Sequence, residues 1–124
     1  MNTSPETPAS GEAWHVGLGS RAITPQEPIW LYGYLNQQRF QPSIGILDDL
    51  YARAVVLKEG EGKTVVVVAL DLCTPRKTLT AHICDTIAER TGIARDHIML
   101  NASHTHSGPA LAQEDALQRL PAND

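Results

Sequence analysis

The chain has 124 residues, 42% of them hydrophobic, which supplies apolar side chains for one core and sets the limit at one domain or part of one. Ten basic residues against fourteen acidic ones leave a formal charge of -4, and the basic residues stand singly apart from Arg76-Lys77, a distribution that argues against nucleic-acid binding. Met1 to Val16 contains neither a basic start nor an apolar run, so no signal peptide is visible and the cytoplasm is favoured; the longest apolar run, Val65 to Leu70, is too short to span a bilayer.

Residues 1–13 read as a disordered tail, because their polar, Pro-containing composition buries too little apolar surface to offset ordering. Trp14 to Leu18 is a short strand candidate. Gly17, Gly19, Pro25, Pro28 and Gly33 then punctuate an irregular stretch reaching to about Asp49, and loops of that length in compact domains are usually functional or linkers. Leu50 to Lys58 and Thr64 to Leu72 are rich in strand formers and flank Gly60-Glu61-Gly62, a hairpin signal. The run Val65 to Leu70 lacks polar alternation, which predicts a central strand covered on both faces. Thr74 offers an N-cap hydroxyl, Pro75 suits a first helical position, and Leu79, Ile83 and Ile87 repeat at helical spacing up to Gly92, predicting a helix over 75–91. His97 to Leu100 predicts another short strand, which makes strand, helix and strand a right-handed βαβ crossover. Ala110 to Leu120 reads as the start of a further helix. The expected class is α/β: a mixed sheet with a β-hairpin followed by a βαβ crossover, forming an incomplete part of a larger domain, with an unpaired sheet edge open to self-association.

The chemistry concentrates in Asn101-Ala102-Ser103-His104-Thr105-His106-Ser107-Gly108-Pro109, directly after the predicted strand. In extended backbone, residues two apart point the same way, so His104 and His106 can present both imidazoles to one point, where neutral imidazole is a favoured zinc ligand. Alternatively one binds metal while the other hydrogen-bonds substrate or takes a proton. Ligands in parallel α/β sheets collect beyond the C-terminal ends of strands, and this turn occupies that edge. Asp71 ends the neighbouring strand there and can orient an imidazole through its carboxylate, or can simply cap the strand. His97 lies at the far end of the strand, roughly 20 Å away at about 3.3 Å per residue, and cannot share that metal. His15 and His82 read as packed or surface residues, and Cys73 and Cys84, with no CxxC pairing, as ordinary small buried side chains. Gly17-Leu18-Gly19-Ser20-Arg21-Ala22 superficially matches a dinucleotide fingerprint, but Pro25 and Pro28 follow where a helix must open. No cofactor-binding glycine loop, Gly-x-Ser-x-Gly elbow or Walker lysine is present.

Six segments in order, Gly17-Leu18-Gly19, Ile23-Thr24-Pro25, Gly33-Tyr34, Tyr51-Ala52-Arg53-Ala54, Asp71-Leu72 and His104 to Pro109, resemble the N-terminal region of the neutral/alkaline non-lysosomal ceramidases over roughly Val16 to Leu111. The resemblance implies that residues 14–124 are the N-terminal part of an α/β catalytic domain, that His104 binds a catalytic zinc, and that His106 lines the site near the scissile amide. It implies a ceramide-like lipid amide as substrate, cleaved by zinc-activated water to a sphingoid base and a fatty acid. A later His, Glu and Tyr complete the metal shell in proteins of this family, so the 124 residues alone are expected to be inactive. The alternative expectation is a non-catalytic scaffold or partner-binding module that kept the fold.

Overall fold

A computed structural model describes residues 13–34 and 39–111. The expected tail and the expected helix over Ala110 to Leu120 fall almost wholly outside the described residues. Four strands form one sheet in the order β1-β2-β3-β4: β1 Trp14–Ala22, β2 Tyr51–Glu59, β3 Thr64–Leu70 and β4 Ile98–Ala102. The first three pair antiparallel, and β3 and β4 pair parallel through the helix α1, Lys77–Thr91. The mixed sheet with a hairpin and a strand–helix–strand crossover is thus the architecture the sequence predicts.

Gly60, with φ 47°, makes the β2–β3 turn, which closes with the Gly62 N–H donating to the Glu59 carbonyl at 2.6 Å. The core lies between one sheet face and α1: Val66, Val68, Leu70 and Leu72 are buried, and Leu79, Ile83 and Ile87 pack on them at helical spacing. The four consecutive valines therefore alternate after all. Val66 and Val68 are 4% and 8% exposed, whereas Val65 is 36% exposed, because α1 covers only the even-numbered face and no described residue layers the other. This corrects the expectation of a strand covered on both faces.

Two element boundaries also differ, the end of β1 and the start of α1. β1 runs through Gly17 and Gly19, since its register pairs them with Val56 and Ala54 and extended glycine fits an edge strand at only an entropic cost. α1 begins at Lys77 with Arg76 as its N-cap, extended at ψ 158° and without a side-chain cap hydrogen bond, so Thr74 is not the cap and Pro75 precedes the helix. The reason is tertiary: Asp71–Cys73 bend away from the end of β3 while tied to its neighbours, by the Asp71 N–H to the Tyr51 carbonyl and by the His104 N–H to the Leu72 carbonyl, so the helix cannot open until the chain has left the sheet. The far end is as predicted, with Gly92 at φ 72° closing α1 by donating to the Ala88 carbonyl.

Candidate metal centre

Parallel pairing of β3 and β4 carries on past the strand ends. The Ser103 N–H donates to the Leu70 carbonyl and the His104 N–H to the Leu72 carbonyl, each at 3.0 Å, which brings the histidine turn beside Asp71–Cys73. His104 then takes φ 61°, a left-handed conformation in which histidine is enriched but still uncommon. This kink, and not a continuous extended segment, turns the rings of His104 and His106 toward each other, with centroids 5.2 Å apart and planes tilted by 55°. His97 lies at the opposite end of the sheet, its Nδ1 3.1 Å from the Thr64 carbonyl oxygen, and His15 and His82 are exposed.

The segment Trp30–Tyr32 holds the turn from the other side. It forms an antiparallel bridge between Leu31 and Pro109, with the Tyr32 N–H donating to the Gly108 carbonyl and the Ala110 N–H to the Trp30 carbonyl. That bridge presses Gly33 against the His106 ring, so closely that a Cβ at Gly33 would lie 2.4 Å from Nδ1. Tyr32 and Tyr34 meet the same ring edge-on, at centroid distances of 5.7 and 5.2 Å. Arg39 donates to the carbonyls of both Tyr32 and His106 and lies over the Tyr34 ring. Thr24 anchors the intervening loop by donating to Asp49 at 2.6 Å and accepting from the Leu50 N–H at 2.9 Å, which gives Ile23-Thr24-Pro25 a structural purpose.

Asp71 reaches the same sheet edge, but its carboxylate accepts from the Tyr51 N–H at 2.9 Å and from Arg53 at 3.3 Å, not from an imidazole. The acceptor beside His104 Nδ1 is the Cys73 carbonyl, 3.0 Å away. Cys73, read from sequence as a packing residue, is buried as expected, yet its Sγ stands 3.4 Å from Nδ1 and 3.9 Å from Nε2 of His104. One donor atom each from Cys73, His104 and His106 lie within 4.8 Å of one another, a set whose softness and neutral nitrogens suit zinc. Cys84, buried on α1, fits the packing reading. A cleft of about 450 Å³ opens next to the turn; Asp71, Thr105 and Ser107 border it, and Ile29, Leu31, Ile46 and Leu47 contribute apolar wall.

A sheet whose strand ends gather imidazoles and a thiol beside a largely apolar cleft defines an α/β unit with a candidate metal centre. Residues 14–123 match the family described as neutral/alkaline non-lysosomal ceramidase, N-terminal, and the chain belongs to that family. It is 33% identical over 100 residues to neutral ceramidase 2 of Arabidopsis thaliana, covering 78% of this chain and 13% of that protein. With the neutral ceramidase of Oryza sativa subsp. japonica it shares 32% over 103 residues, 81% of this chain and 13% of the relative. Its fold superposes on the crystal structure of the neutral ceramidase of Pseudomonas aeruginosa with a TM-score of 0.68 at 30% identity, covering 78% of this chain and 16% of the other. The chain therefore corresponds to the N-terminal region of neutral ceramidases and spans a small fraction of their length.

Proposed function

We propose that this chain is the N-terminal portion of a zinc-dependent amide hydrolase of the ceramidase type, with His104 as a metal ligand and His106 facing the scissile amide. The observation that carries the reading is the convergence of the two imidazoles, 5.2 Å apart, just past the C-terminal ends of two parallel strands. A bound zinc would supply Lewis acidity there, polarising the amide carbonyl and making water more acidic.

The chain's own residues prepare the rest. With Nδ1–H of His104 donating to the Cys73 carbonyl, the lone pair of Nε2 is left for a ligand bond. Gly33 takes up the Nδ1 side of His106, which leaves Nε2 of that ring to hydrogen-bond the amide or carry a proton. The apolar cleft supports a lipid amide such as an N-acyl sphingoid base, the substrate class that the relatives' names carry. Asp71 is assigned a positioning role, fixing the start of β2 against the end of β3 beneath the site.

Metal analysis tests the proposal. His104→Ala should abolish zinc binding and His97→Ala should leave it intact; equal zinc content in wild type and the His104 variant would sink the assignment. Because the chain spans only 13% of its relative, the isolated 124 residues should release no fatty acid from ceramide above a metal-free blank. Zinc-dependent release would refute that part.

A second reading, a non-catalytic module that self-associates, is favoured by β1: every residue of this edge strand is exposed, Leu18 to 81%. It predicts concentration-dependent sedimentation that Leu18→Lys weakens.

A further inference from the structure

We propose that Arg39 is a positioning residue for His106: its guanidinium locks residues 32–34 onto the histidine turn and thereby fixes the imidazole assigned to the amide. The inference rests on the role proposed above for His106 and adds a side chain 67 positions away from it. The need for a lock follows from the backbone. Among the described residues, backbone hydrogen bonds from this segment to the turn end at the Tyr32 N–H, which donates to the Gly108 carbonyl. Gly33 and Tyr34, the next two residues, complete the wall around the His106 ring, and both are left-handed, at φ 80° and 57°. For tyrosine that backbone is unfavourable and persists only where its surroundings over-determine it. Burial does not supply that hold, because Tyr34 is 60% exposed. Arg39 supplies it. Its Nη1 donates to the carbonyl oxygens of both Tyr32 and His106, and its guanidinium carbon stands 4.9 Å from the centroid of the Tyr34 ring, a cation–π contact. The planar Nη1 group carries two N–H bonds splayed apart, one for each oxygen. Two carbonyl dipoles that aim their negative ends at one place repel each other, and a cation between them turns that repulsion into attraction. With residues 32–34 held down, the ring is confined by Gly33 on the Nδ1 side and by Tyr32 and Tyr34 at its edges, which sets the direction of Nε2.

Nuclear magnetic resonance of the purified, metal-free chain tests this at one fixed pH. In wild type the His106 ring protons should show cross-relaxation with the Tyr32 and Tyr34 rings. The Arg39 Nη hydrogens should exchange with water about 10-fold or more slowly than those of exposed Arg90, the factor that a hydrogen bond from a charged donor gives. Arg39→Ala should lose the cross-peaks to Tyr34 and shift the His106 ring resonances toward those of exposed His15 and His82. The resonances of His97, at the far end of the sheet, should stay where they are and so report an intact fold. Arg39→Lys keeps the charge but not the planar pair of N–H bonds, and should not restore the wild-type spectrum. Fast Arg39 exchange or missing Tyr34 cross-peaks in wild type would overturn the proposal without any variant having to fold. Unchanged His106 resonances in Arg39→Ala, or full restoration by Arg39→Lys, would overturn it as well. Zinc plays no part in these readouts, so their failure leaves His104 as metal ligand, whereas failed zinc uptake strikes the function proposed above and not the hold of Arg39 on the His106 ring.

Discussion

A methyl group on Gly33 would collide with Nδ1 of His106 at 2.4 Å, and the residue holds φ 80°, where side chains are strained. Gly33→Ala should therefore displace the imidazole as well as strain the backbone. We expect a stability loss above about 2 kcal/mol by chemical unfolding, the left-handed strain of about 1–2 kcal/mol plus the collision, and, in a longer protein with the proposed hydrolase activity, about 100-fold lower turnover, the scale of a 1 Å misplacement. Gly92 is the control, because its φ of 72° is similar but nothing lies within 4 Å of an added Cβ; Gly92→Ala should cost only about 1–2 kcal/mol and leave the site untouched. Equal turnover in the two variants would remove Gly33 from the site. Asp71 separates two roles in the same way. Asp71→Ala strips the Tyr51 N–H of its acceptor and should cost about 1–3 kcal/mol, while Asp71→Asn keeps an oxygen there and loses only a half-exposed pairing with Arg53, worth under about 1 kcal/mol. Zinc affinity should be unchanged in Asp71→Asn. A fall of about 10-fold or more would restore to Asp71 the imidazole-orienting role.

Within α1, the stripe Leu79, Ile83 and Ile87 makes the contact with β3 that closes the core. Ile83→Ala should destabilise by about 2–4 kcal/mol in thermal or denaturant unfolding, whereas exposed His82, one residue away, should tolerate alanine within about 0.5 kcal/mol. Matching losses would mean that the helix does not seat on the sheet through this face. The helix and its Gly92 stop are legible because periodicity and the left-handed cap are local properties of the chain. Its start is not: Thr74 and Pro75 carry a helix-start signal, but the chain just before them is tied to the sheet and the histidine turn through Asp71 and Leu72, and α1 opens only after the extended Arg76. Tertiary pairing overrides a capping preference worth about 1 kcal/mol.

Across the whole molecule, the sheet has α1 on one face and a second face that no described residue covers, with Leu18, Met99 and Val55 exposed on it. The sequence by itself determined the hairpin, the crossover, the parallel neighbours and the placement of His104 and His106 at their ends, since each follows from hydrophobic period, turn residues and strand order. The six-segment pattern likewise carried the family, which the match over residues 14–123 shows. Only the tertiary structure decided which donors meet there. Cys73 reaches His104 across 31 residues, Arg39 reaches the His106 carbonyl across 67, and Gly33 makes room for the ring through a bridge between Leu31 and Pro109. Periodicity reports which face of an element is apolar; it carries no record of which loops close on one another, and the left-handed turn at His104 is held by those long-range contacts and not by its own sequence.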